Sequence, residues 1–592
     1  MRTIRIATLC AALVATASGN ELSAGTAPAQ DPRAWIAVSN RHGQVLLDVL
    51  ARFAPESAGQ FGVTGLDEAV SNLTTENRDK GRAATAAALA TLQAARNTEQ
   101  DPLVRQDLDI LIKSAQTNLR GGQLFQERMV PYTDVTALVF GGLRSLLDAQ
   151  VSAERRPAAV VRLRKYAGLV EGYEPVTAQA MRVTRARLAD AQLLTPAKSQ
   201  VERDLANGPI ILQGLEKLFE LYKLEGWLEP YATLKQQLTA YQDFVRMEIL
   251  PKARTDFRLP ADLYAFSLEQ VGVGLQSESL AKMARQAFGE IQGEMQALAP
   301  TIAKARGLQT TDYRDVIRAL KKEQLVGDAI LPHYRKRLEE LESIIKREQL
   351  VTLPEREARI RIATDAEAAQ NPAPNMRPPR LLGNTGEMGE FILPLNIPAS
   401  PGSKSPLTYD DFTFQAASWT LTAHEARPGH EMQFAKIIEA GVSTARALFA
   451  FNSVNVEGWG LYAEWMMLPY MPPEGQLISL QFRLMRAARA FLDPELHMGR
   501  VTPDEARRVL LDDVVLSQAM TEQEVERYMF RAPGQATSYF YGYTRLRELR
   551  PEVERAMGSK FSAREFHDFI LAQGLLPPEL LKEAVLARFV KR

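Results

Sequence analysis

The chain has 592 residues, which is enough for one large core or for two to three average domains. Apolar residues make up 46% and charged residues 24% of the sequence, as is usual for globular proteins. Lysine plus arginine equals aspartate plus glutamate, at 71 each, so the chain has neither a basic excess that would collect nucleic acid nor an acidic tail. We therefore expect no nucleic-acid partner.

The N-terminus has the pattern of an export signal. Arg2 and Arg5 precede a short apolar run, residues 6–17, which ends in a small-x-small cleavage pattern. This run is too short to cross a bilayer, and no later segment reaches the roughly 18 uninterrupted apolar residues of a membrane span. We predict that residues 1–33 are a signal peptide and flexible leader, that cleavage follows Ala17, and that the protein is periplasmic or secreted.

The single cysteine, Cys10, lies inside the predicted signal. The segment 7–9 in front of it, Ala-Thr-Leu, is a poor lipobox, so we expect cleavage of the signal without attachment of lipid. A mature chain without cysteine has no thiolate metal ligand, no cysteine nucleophile and no disulfide framework. Any metal site must then be built from histidine and carboxylate side chains.

Helical periodicity dominates the rest of the chain. Tyr334, Leu338, Leu341, Ile344 and Ile345 follow the i, i+4, i+7, i+10, i+11 spacing of one helix face, with charged residues between them. Amphipathic stretches of this kind recur at 155–190, 199–250, 277–304, 312–349, 475–492 and 543–590. The pattern predicts a mainly α fold.

The clearest strand signal is the segment 390–396, in which Pro394 favours an edge strand. Such a strand could pair with an extended peptide by strand addition, although a covering loop is an equal alternative. A proline-rich break at 371–380 precedes it. We therefore divide the chain into a helical wall region, 34–370, and a catalytic helical region with the metal site, 371–592.

The most informative segment is 424–430, with the sequence His-Glu-Ala-Arg-Pro-Gly-His. In the zinc-peptidase motif HExxH, the histidines lie at i and i+4 on one helix face, and the glutamate takes a proton from water at the metal. Here the histidines lie at i and i+6, which on a regular helix means about 240° of rotation and ~9 Å of rise. Both histidines of a regular helix could not reach one ion.

Pro428 and Gly429 offer a geometric reason for the longer spacing. A proline inside a helix clashes with the carbonyl four residues back, and glycine adopts positive φ easily. Together they can bulge the chain or end the helix, so that His430 turns back toward His424. With that break, the segment predicts two metal ligands and a general base, Glu425.

A third ligand must come from the following helix. Glu457 lies 27 residues after His430, and Glu464 lies seven residues further on the same helix face. Glu464 could be the ligand itself or could hold a histidine N–H from behind. Glu457 is preferred, because Gly458 and Gly460 beside it allow close backbone approach.

Three blocks carry a resemblance to a known family: segment 424–430, the Glu-Gly-Trp of 457–459, and the Pro-Gly-Gln-Ala-Thr-Ser-Tyr of 533–539. Together they resemble the bacterial family called domain of unknown function 885, which is similar to the all-helical zinc peptidases of the thimet oligopeptidase, angiotensin-converting enzyme and thermostable carboxypeptidase type. The resemblance implies a large all-helical fold with a deep channel and one catalytic zinc ion per chain. It implies that His424, His430 and Glu457 are ligands and Glu425 the general base. The Pro-Gly insertion departs from the plain HExxH of those peptidases.

Attack of water on a carbonyl creates an oxyanion, and a Tyr or His side chain commonly helps the metal to stabilise it. The sequence offers two candidates for this role. Tyr539 is our first candidate, because it holds the tyrosine position of the family's third block. His497 is the second, in an Asp-x-x-x-His block that begins at Asp493. Three arginines could bind a substrate carboxylate or could be ordinary helix-surface charges: Arg486, Arg489 and Arg527.

These residues predict an exported zinc-dependent hydrolase that cleaves short peptides through a metal-activated water. One alternative is a zinc-dependent amidohydrolase or esterase with a non-peptide substrate. The other is an inactive helical protein that binds peptides, although the intact Glu425 argues against it. The sequence leaves open the oligomeric state, the side-chain preference and whether cleavage is internal or terminal.

Overall fold

A computed structural model of the chain describes residues 33–397 and 407–590. The predicted signal peptide and its cleavage site after Ala17 lie outside these residues. The first 13 α-helices of the described chain are α1 (Ala34–Phe53), α2 (Pro55–Phe61), α3 (Thr75–Thr98), α4 (Pro102–Arg128), α5 (Val135–Arg144), α6 (Ala158–Tyr166), α7 (Val176–Leu188), α8 (Lys198–Leu221), α9 (Leu228–Phe244), α10 (Ala261–Val271), α11 (Ser277–Arg306), α12 (Tyr313–Lys321) and α13 (Ile330–Arg347).

A second set of helices carries the residues singled out by the sequence. They are α14 (Asp365–Gln370), α15 (Gln415–Glu425), α16 (His430–Ala440), α17 (Ser453–Met467), α18 (Pro473–His497), α19 (Pro503–Arg508), α20 (Gln518–Glu526), α21 (Ser538–Met557), α22 (Ala563–Ala572) and α23 (Pro578–Phe589). The prediction of a mainly α fold is confirmed. None of the helices in the described ranges combines the length and the apolar character needed to cross a membrane.

The periodicity that predicted a helix around Tyr334 corresponds to α13. Tyr334, Leu341 and Ile345 are fully buried there and Ile344 is nearly so. The charged residues Arg335, Lys336 and Glu339 between them are exposed. Burial of such a stripe against neighbouring elements supplies most of the stability of a helix in a protein.

The described strands form two small sheets. β1 (Arg359–Ile362) pairs in parallel with β3 (Glu390–Leu393), which pairs on its other side, antiparallel, with β2 (Asn375–Arg377). The short strands β4 (Asn396–Ile397) and β5 (Leu407–Thr408) pair with each other. The prediction that segment 390–396 is an edge strand is therefore wrong, because β3 is central in its sheet. Pro394 directly follows β3, so its missing N–H removes no hydrogen bond from that ladder.

Helix α18 lies at the centre of the molecule. Every residue from 477 to 497 on this helix is buried, which is typical of a helix surrounded by others on all sides. It packs along α11, while α17 packs along α21. At the second crossing, a Cβ on Gly458 of α17 would lie 2.6 Å from the Cα of Gly542 of α21, so two glycines are needed for the helices to come this close.

Candidate metal centre

The chain breaks between α15 and α16, inside the segment that carries the two histidines. Helix α15 ends at Glu425 and α16 begins at His430. Position 429 in this break requires glycine, because a Cβ there would lie 1.8 Å from the carbonyl oxygen of His424. The break places the imidazole rings of His424 and His430 face to edge, with their centroids 4.6 Å apart. The Pro-Gly segment thus brings the two histidines together by ending one helix and starting another.

Glu457, on α17, joins the two histidines. Its Oε2 lies 3.2 Å from Nε2 of His430 and 3.5 Å from Nε2 of His424. One possible ligand atom from each of the three residues lies within 4.8 Å of the other two. A tetrahedral zinc ion with bonds of about 2.0–2.2 Å holds its ligand atoms roughly 3.3–3.5 Å apart, so these spacings fit one ion. We call His424, His430 and Glu457 the candidate metal group.

The residues that follow Glu457 on α17 allow this approach. A Cβ on Gly460 would lie 2.7 Å from Cε1 of His424 and 2.8 Å from Cε1 of His430, closer than any side chain permits. The indole N–H of Trp459 donates a hydrogen bond to the carbonyl oxygen of Pro428 at 2.9 Å. Helix α17 therefore supplies Glu457 to the candidate metal group. It also leaves room for both histidine rings at Gly460 and holds the loop between them through Trp459.

Glu464 lies behind His424 and outside the candidate metal group. Its Oε1 is 2.7 Å from Nδ1 of His424, and its Oε2 accepts a hydrogen bond from the Thr420 hydroxyl at 2.5 Å. Burial opposes ionisation of Glu464, but the charge of Arg486, 3.3 Å away, and the contact with His424 hold its pKa below the usual value. A carboxylate in this position fixes the ring of His424 and turns Nε2 toward the candidate metal group. Of the two roles open to Glu464 in the sequence, the geometry favours support.

The predicted base, Glu425, is buried beside the candidate metal group, with 6% of its surface exposed. Burial is the main cause that raises the pKa of Glu425, to about 8; the charge of Glu457 acts in the same direction, and His430 acts against it. The hydrogen bonds and charges of both histidines outweigh burial at Glu457 and hold its pKa well below the usual value. The two neighbouring carboxyl groups thus differ in their affinity for a proton, which suits one proton acceptor and one ligand.

Tyr539, on α21, lies against the same group. Its ring stacks on that of His424, with centroids 6.0 Å apart and planes 15° apart. Its hydroxyl accepts a hydrogen bond from Arg527 at 2.9 Å. Burial raises the pKa of Tyr539, so the hydroxyl keeps its proton and remains a hydrogen-bond donor. The structure therefore brings Tyr539 to the candidate metal group, as the sequence predicted.

Of the three arginines, Arg486 and Arg489 on α18 are buried, and Arg527, which follows α20, is partly buried. Arg489 forms two hydrogen bonds with Glu524, at 2.5 and 2.6 Å. Arg486 lies beside Glu464 as described above, and Arg527 is shared between Tyr539 and Gln535. The interpretation of these arginines as helix-surface charges is wrong for Arg486 and Arg489, which are 4% and 3% exposed.

Glu457 and Tyr539 open onto a cavity of about 480 Å³. Arg527 and Gln535 line it beside them, and segment 370–375, immediately before and including the start of β2, forms another wall. We call it the site cavity. The site cavity therefore reaches the candidate metal group at Glu457.

The profile of a known family, described as "Bacterial protein of unknown function (DUF885)", matches residues 55–585. The chain belongs to the DUF885 family. No curated protein matches the sequence. The three sequence blocks that carry the DUF885 resemblance contain the candidate metal group, Trp459 and Tyr539.

Two solved structures are similar to this DUF885 member along nearly the whole chain. One, described as that of a "putative lipoprotein" from Colwellia psychrerythraea, is 20% identical with a TM-score of 0.74, over 94% of this chain and 99% of that one. The other, described as a "putative lipoprotein of unknown function" from Shewanella oneidensis, is 20% identical with a TM-score of 0.70, over 93% and 99%. At this identity the likeness shows the fold alone.

His497, the other predicted catalytic residue, does not join the candidate metal group. Its Nδ1 accepts a hydrogen bond from the Leu259 N–H at 3.0 Å, and its Nε2 donates one to the Tyr528 carbonyl at 2.9 Å. Burial lowers the pKa of His497 to about 4, so the ring is neutral. The contacts contradict the predicted role in oxyanion binding, because neither ring nitrogen has a hydrogen to spare.

Sequence reasoning missed the residues that support the site from elsewhere in the chain. Thr420 bonds Glu464 but has no motif of its own. Arg527 was a candidate for a substrate carboxylate, and its hydrogen bond to Tyr539 was not predicted. Asp134 and Asp204 line the site cavity more than 250 residues before Glu457. Asp134 does have a local signal as the N-cap of α5, yet that signal predicts a helix start and no site.

Proposed function

We propose that this DUF885 member is an exported zinc-dependent hydrolase that cleaves short peptides. One observation carries the proposal: ligand atoms of His424, His430 and Glu457 converge at the spacing of one ion, directly beside Glu425. Two imidazole nitrogens and one carboxylate oxygen are the ligand set of a catalytic zinc site that keeps a fourth position open. The carboxylate behind His424 is the usual support of such a ligand.

A zinc ion bound there would act as a Lewis acid that polarises a carbonyl and makes a nearby water more acidic. The chain's own residues would do the rest. Glu425 accepts the proton of the attacking water on its carboxylate and passes it to the leaving amine. The Tyr539 hydroxyl donates a hydrogen bond to the oxyanion as the carbonyl becomes tetrahedral. Arg527 holds that hydroxyl in place through the hydrogen bond described above.

Export is the second part of the proposal. The basic start, the short apolar run and the cleavage pattern that ends at Ala17 support it, and both similar solved structures are described as putative lipoproteins. This chain lacks a convincing lipobox before Cys10, so we propose a cleaved and released protein. Mass spectrometry of the N-terminus of protein recovered from the periplasm tests this step.

Replacement of Glu425 by glutamine is the decisive test of the chemistry. The variant removes the proton acceptor and keeps the three ligands, so we expect zinc to remain bound while peptide cleavage falls by roughly 10²–10⁴-fold. Zinc is measured by elemental analysis and cleavage by mass spectrometry of a peptide-library digest. Glu290→Gln, at an exposed position of α11, is the matched control and should behave as the unaltered protein.

The outcomes separate the alternatives. Protein that holds no zinc and takes up none on addition contradicts the metal site. Undiminished cleavage by the Glu425→Gln variant shows that another group is the base. Zinc uptake without cleavage of any peptide, combined with hydrolysis of simple amides or esters, would replace the peptidase by an amidohydrolase or esterase.

A further inference from the structure

We propose that the site cavity contains a binding site for a primary ammonium group, formed by Asp134, Asp204 and Gln523. All three residues line the same cavity as Glu457 and Tyr539. The inference rests on the proposed function, because a molecule bound there is the substrate of the candidate metal centre. It adds the chemical class of that substrate: a short peptide or amide with a free, positively charged amino group.

The two carboxyl groups are held in place by different helices. Asp134 caps the start of α5 and accepts a hydrogen bond from the Ala137 N–H at 3.0 Å. Asp204, on α8, accepts one from the Tyr132 hydroxyl at 2.9 Å. A carboxylate has about four acceptor sites, so each retains capacity for a ligand after these contacts. Their positions are therefore fixed before a substrate arrives.

Arg531 and Arg203, the two arginines whose charges act on Asp204, are both paired with another acid. Arg531 also lines the site cavity, but its guanidinium lies 3.1 Å from Glu526, which also contacts Arg203. Burial and the neighbouring Asp134 raise the pKa of Asp204, despite the charges of both arginines. Two partly buried carboxyl groups that share a cavity favour a bound cation, because the cation reduces the cost of ionising both.

Gln523, on α20, is an independent observation that indicates a ligand. The residue is 5% exposed, and its Oε1 has no hydrogen-bond partner in the part of the chain that the structure describes. A buried amide oxygen without a donor is unfavourable, so it marks a place for an incoming N–H. An ammonium group has three N–H donors and no acceptor, which matches two carboxylates and one amide oxygen.

A metal ion is a weaker candidate for the same place. Among the described residues, Asp134 and Asp204 have no third histidine or acidic ligand beside them, whereas His424, His430 and Glu457 offer three. The acceptor atoms around an ammonium group can lie further apart than the ligand atoms around a metal ion, because its N–H···O hydrogen bonds are about 2.7–3.2 Å long from nitrogen to oxygen. Two carboxylates and one amide oxygen thus suit the three N–H donors of an organic ammonium group.

A binding experiment tests the inference separately from catalysis. The Glu425→Gln variant prevents turnover, and calorimetry measures its affinity for trialanine amide and for the N-acetylated form, which lacks the charge. We expect the free amine to bind roughly 10–100-fold more tightly, the value of a hydrogen-bonded buried charge. N-acetylated tripeptide amides with lysine or with norleucine in the middle show whether a side-chain ammonium serves as well as a terminal one.

The variants Asp204→Asn and Asp134→Asn are each combined with Glu425→Gln. Each should bring the ratio of the affinities for the free amine and the N-acetylated form closer to one. Asparagine keeps the acceptor for Tyr132 and keeps the cap of α5, so both are expected to fold. Asp243→Asn, in an exposed ion pair on α9, is the control and should keep the full preference.

The outcomes distinguish this inference from the proposed function. Equal affinity for charged and uncharged peptides, including no binding of any, overturns the ammonium site. Zinc-dependent cleavage by the unaltered protein without any preference for a free amine also overturns it and leaves the hydrolase standing. A clear preference for the free amine in a protein without zinc or cleavage supports the site and contradicts the hydrolase.

Discussion

Two histidines of this protein have similar surroundings and different contacts. The ring of His424 stacks on Tyr539, with centroids 6.0 Å apart, and the ring of His497 stacks on Tyr264, with centroids 4.6 Å apart. An acidic residue lies close to both. Yet Glu464 bonds Nδ1 of His424, whereas Asp493 accepts hydrogen bonds from the Tyr264 hydroxyl and the Gly534 N–H.

The difference lies in the second ring nitrogen. His424 has one nitrogen held by a carboxylate, and its other nitrogen faces Glu457 and His430. His497 has both nitrogens bonded to backbone groups. A histidine with a supported ring and one available nitrogen can bind a metal, whereas one with two backbone partners joins segments of the fold. Residue type and neighbouring acids alone do not separate these two cases.

The largest expected effect that tests this contrast is on metal content. We predict that His430→Ala lowers the zinc content from one ion per chain to a trace, because two ligands remain in place of three. His497→Ala should keep the zinc and lower the free energy of unfolding by about 1–3 kcal/mol, since it leaves the Leu259 N–H and Tyr528 carbonyl unpaired. Elemental analysis and denaturant unfolding of both variants measure these effects.

The contrast would be broken if His497→Ala also lost its zinc while remaining folded, or if His430→Ala kept it. Circular dichroism of both variants shows whether the helices remain. Loss of zinc in both variants with intact helices would mean that the two regions are coupled and not independent.

Much of the fold was predictable, because its signals are local. The apolar stripe of α13 and the absence of long alternating runs indicate a mainly α protein. The place of β3 was not predictable, because Pro394 is informative about a strand only if it lies within the ladder. It lies one residue beyond the end of β3, and the pairing of β1 and β2 on both sides depends on residues up to 31 positions away.

The candidate site was predictable where a spacing demanded a particular geometry. Two histidines six residues apart cannot share an ion on a regular helix, so Pro428 and Gly429 had to interrupt it. The sequence offered Glu464 as a possible support for a histidine, but it did not predict which histidine, nor the partners of His497. Both His424 and His497 have an acidic residue nearby in sequence, and the bonds that separate them come from Glu464, Leu259 and Tyr528 in other parts of the fold.

A smaller effect is expected at the two stacked tyrosines. We predict that Tyr539→Phe lowers kcat for peptide cleavage by roughly 10²–10³-fold, as the loss of an oxyanion donor does, while zinc stays bound. Tyr264→Phe removes the hydrogen bond to Asp493, so it should lower the free energy of unfolding by about 1 kcal/mol and leave kcat unchanged. Steady-state kinetics with one peptide substrate compare the pair. Equal values of kcat for Tyr539→Phe and the unaltered protein would remove Tyr539 from the reaction.

The smallest expected effect that distinguishes the two histidine regions comes from replacing their acidic residues, Glu464 and Asp493. Glu464→Gln keeps the shape of the side chain but weakens the support of His424, so zinc affinity should fall roughly 10–100-fold. Asp493→Asn should leave zinc affinity unchanged and lower the free energy of unfolding by about 1–3 kcal/mol, because the Gly534 N–H loses a carboxylate acceptor. Competition with a chelator of known affinity measures the first effect and denaturant unfolding the second. If Glu464→Gln lost stability alone, Glu464 would be a framework residue like Asp493, and the available nitrogen of His424 would no longer mark a metal ligand.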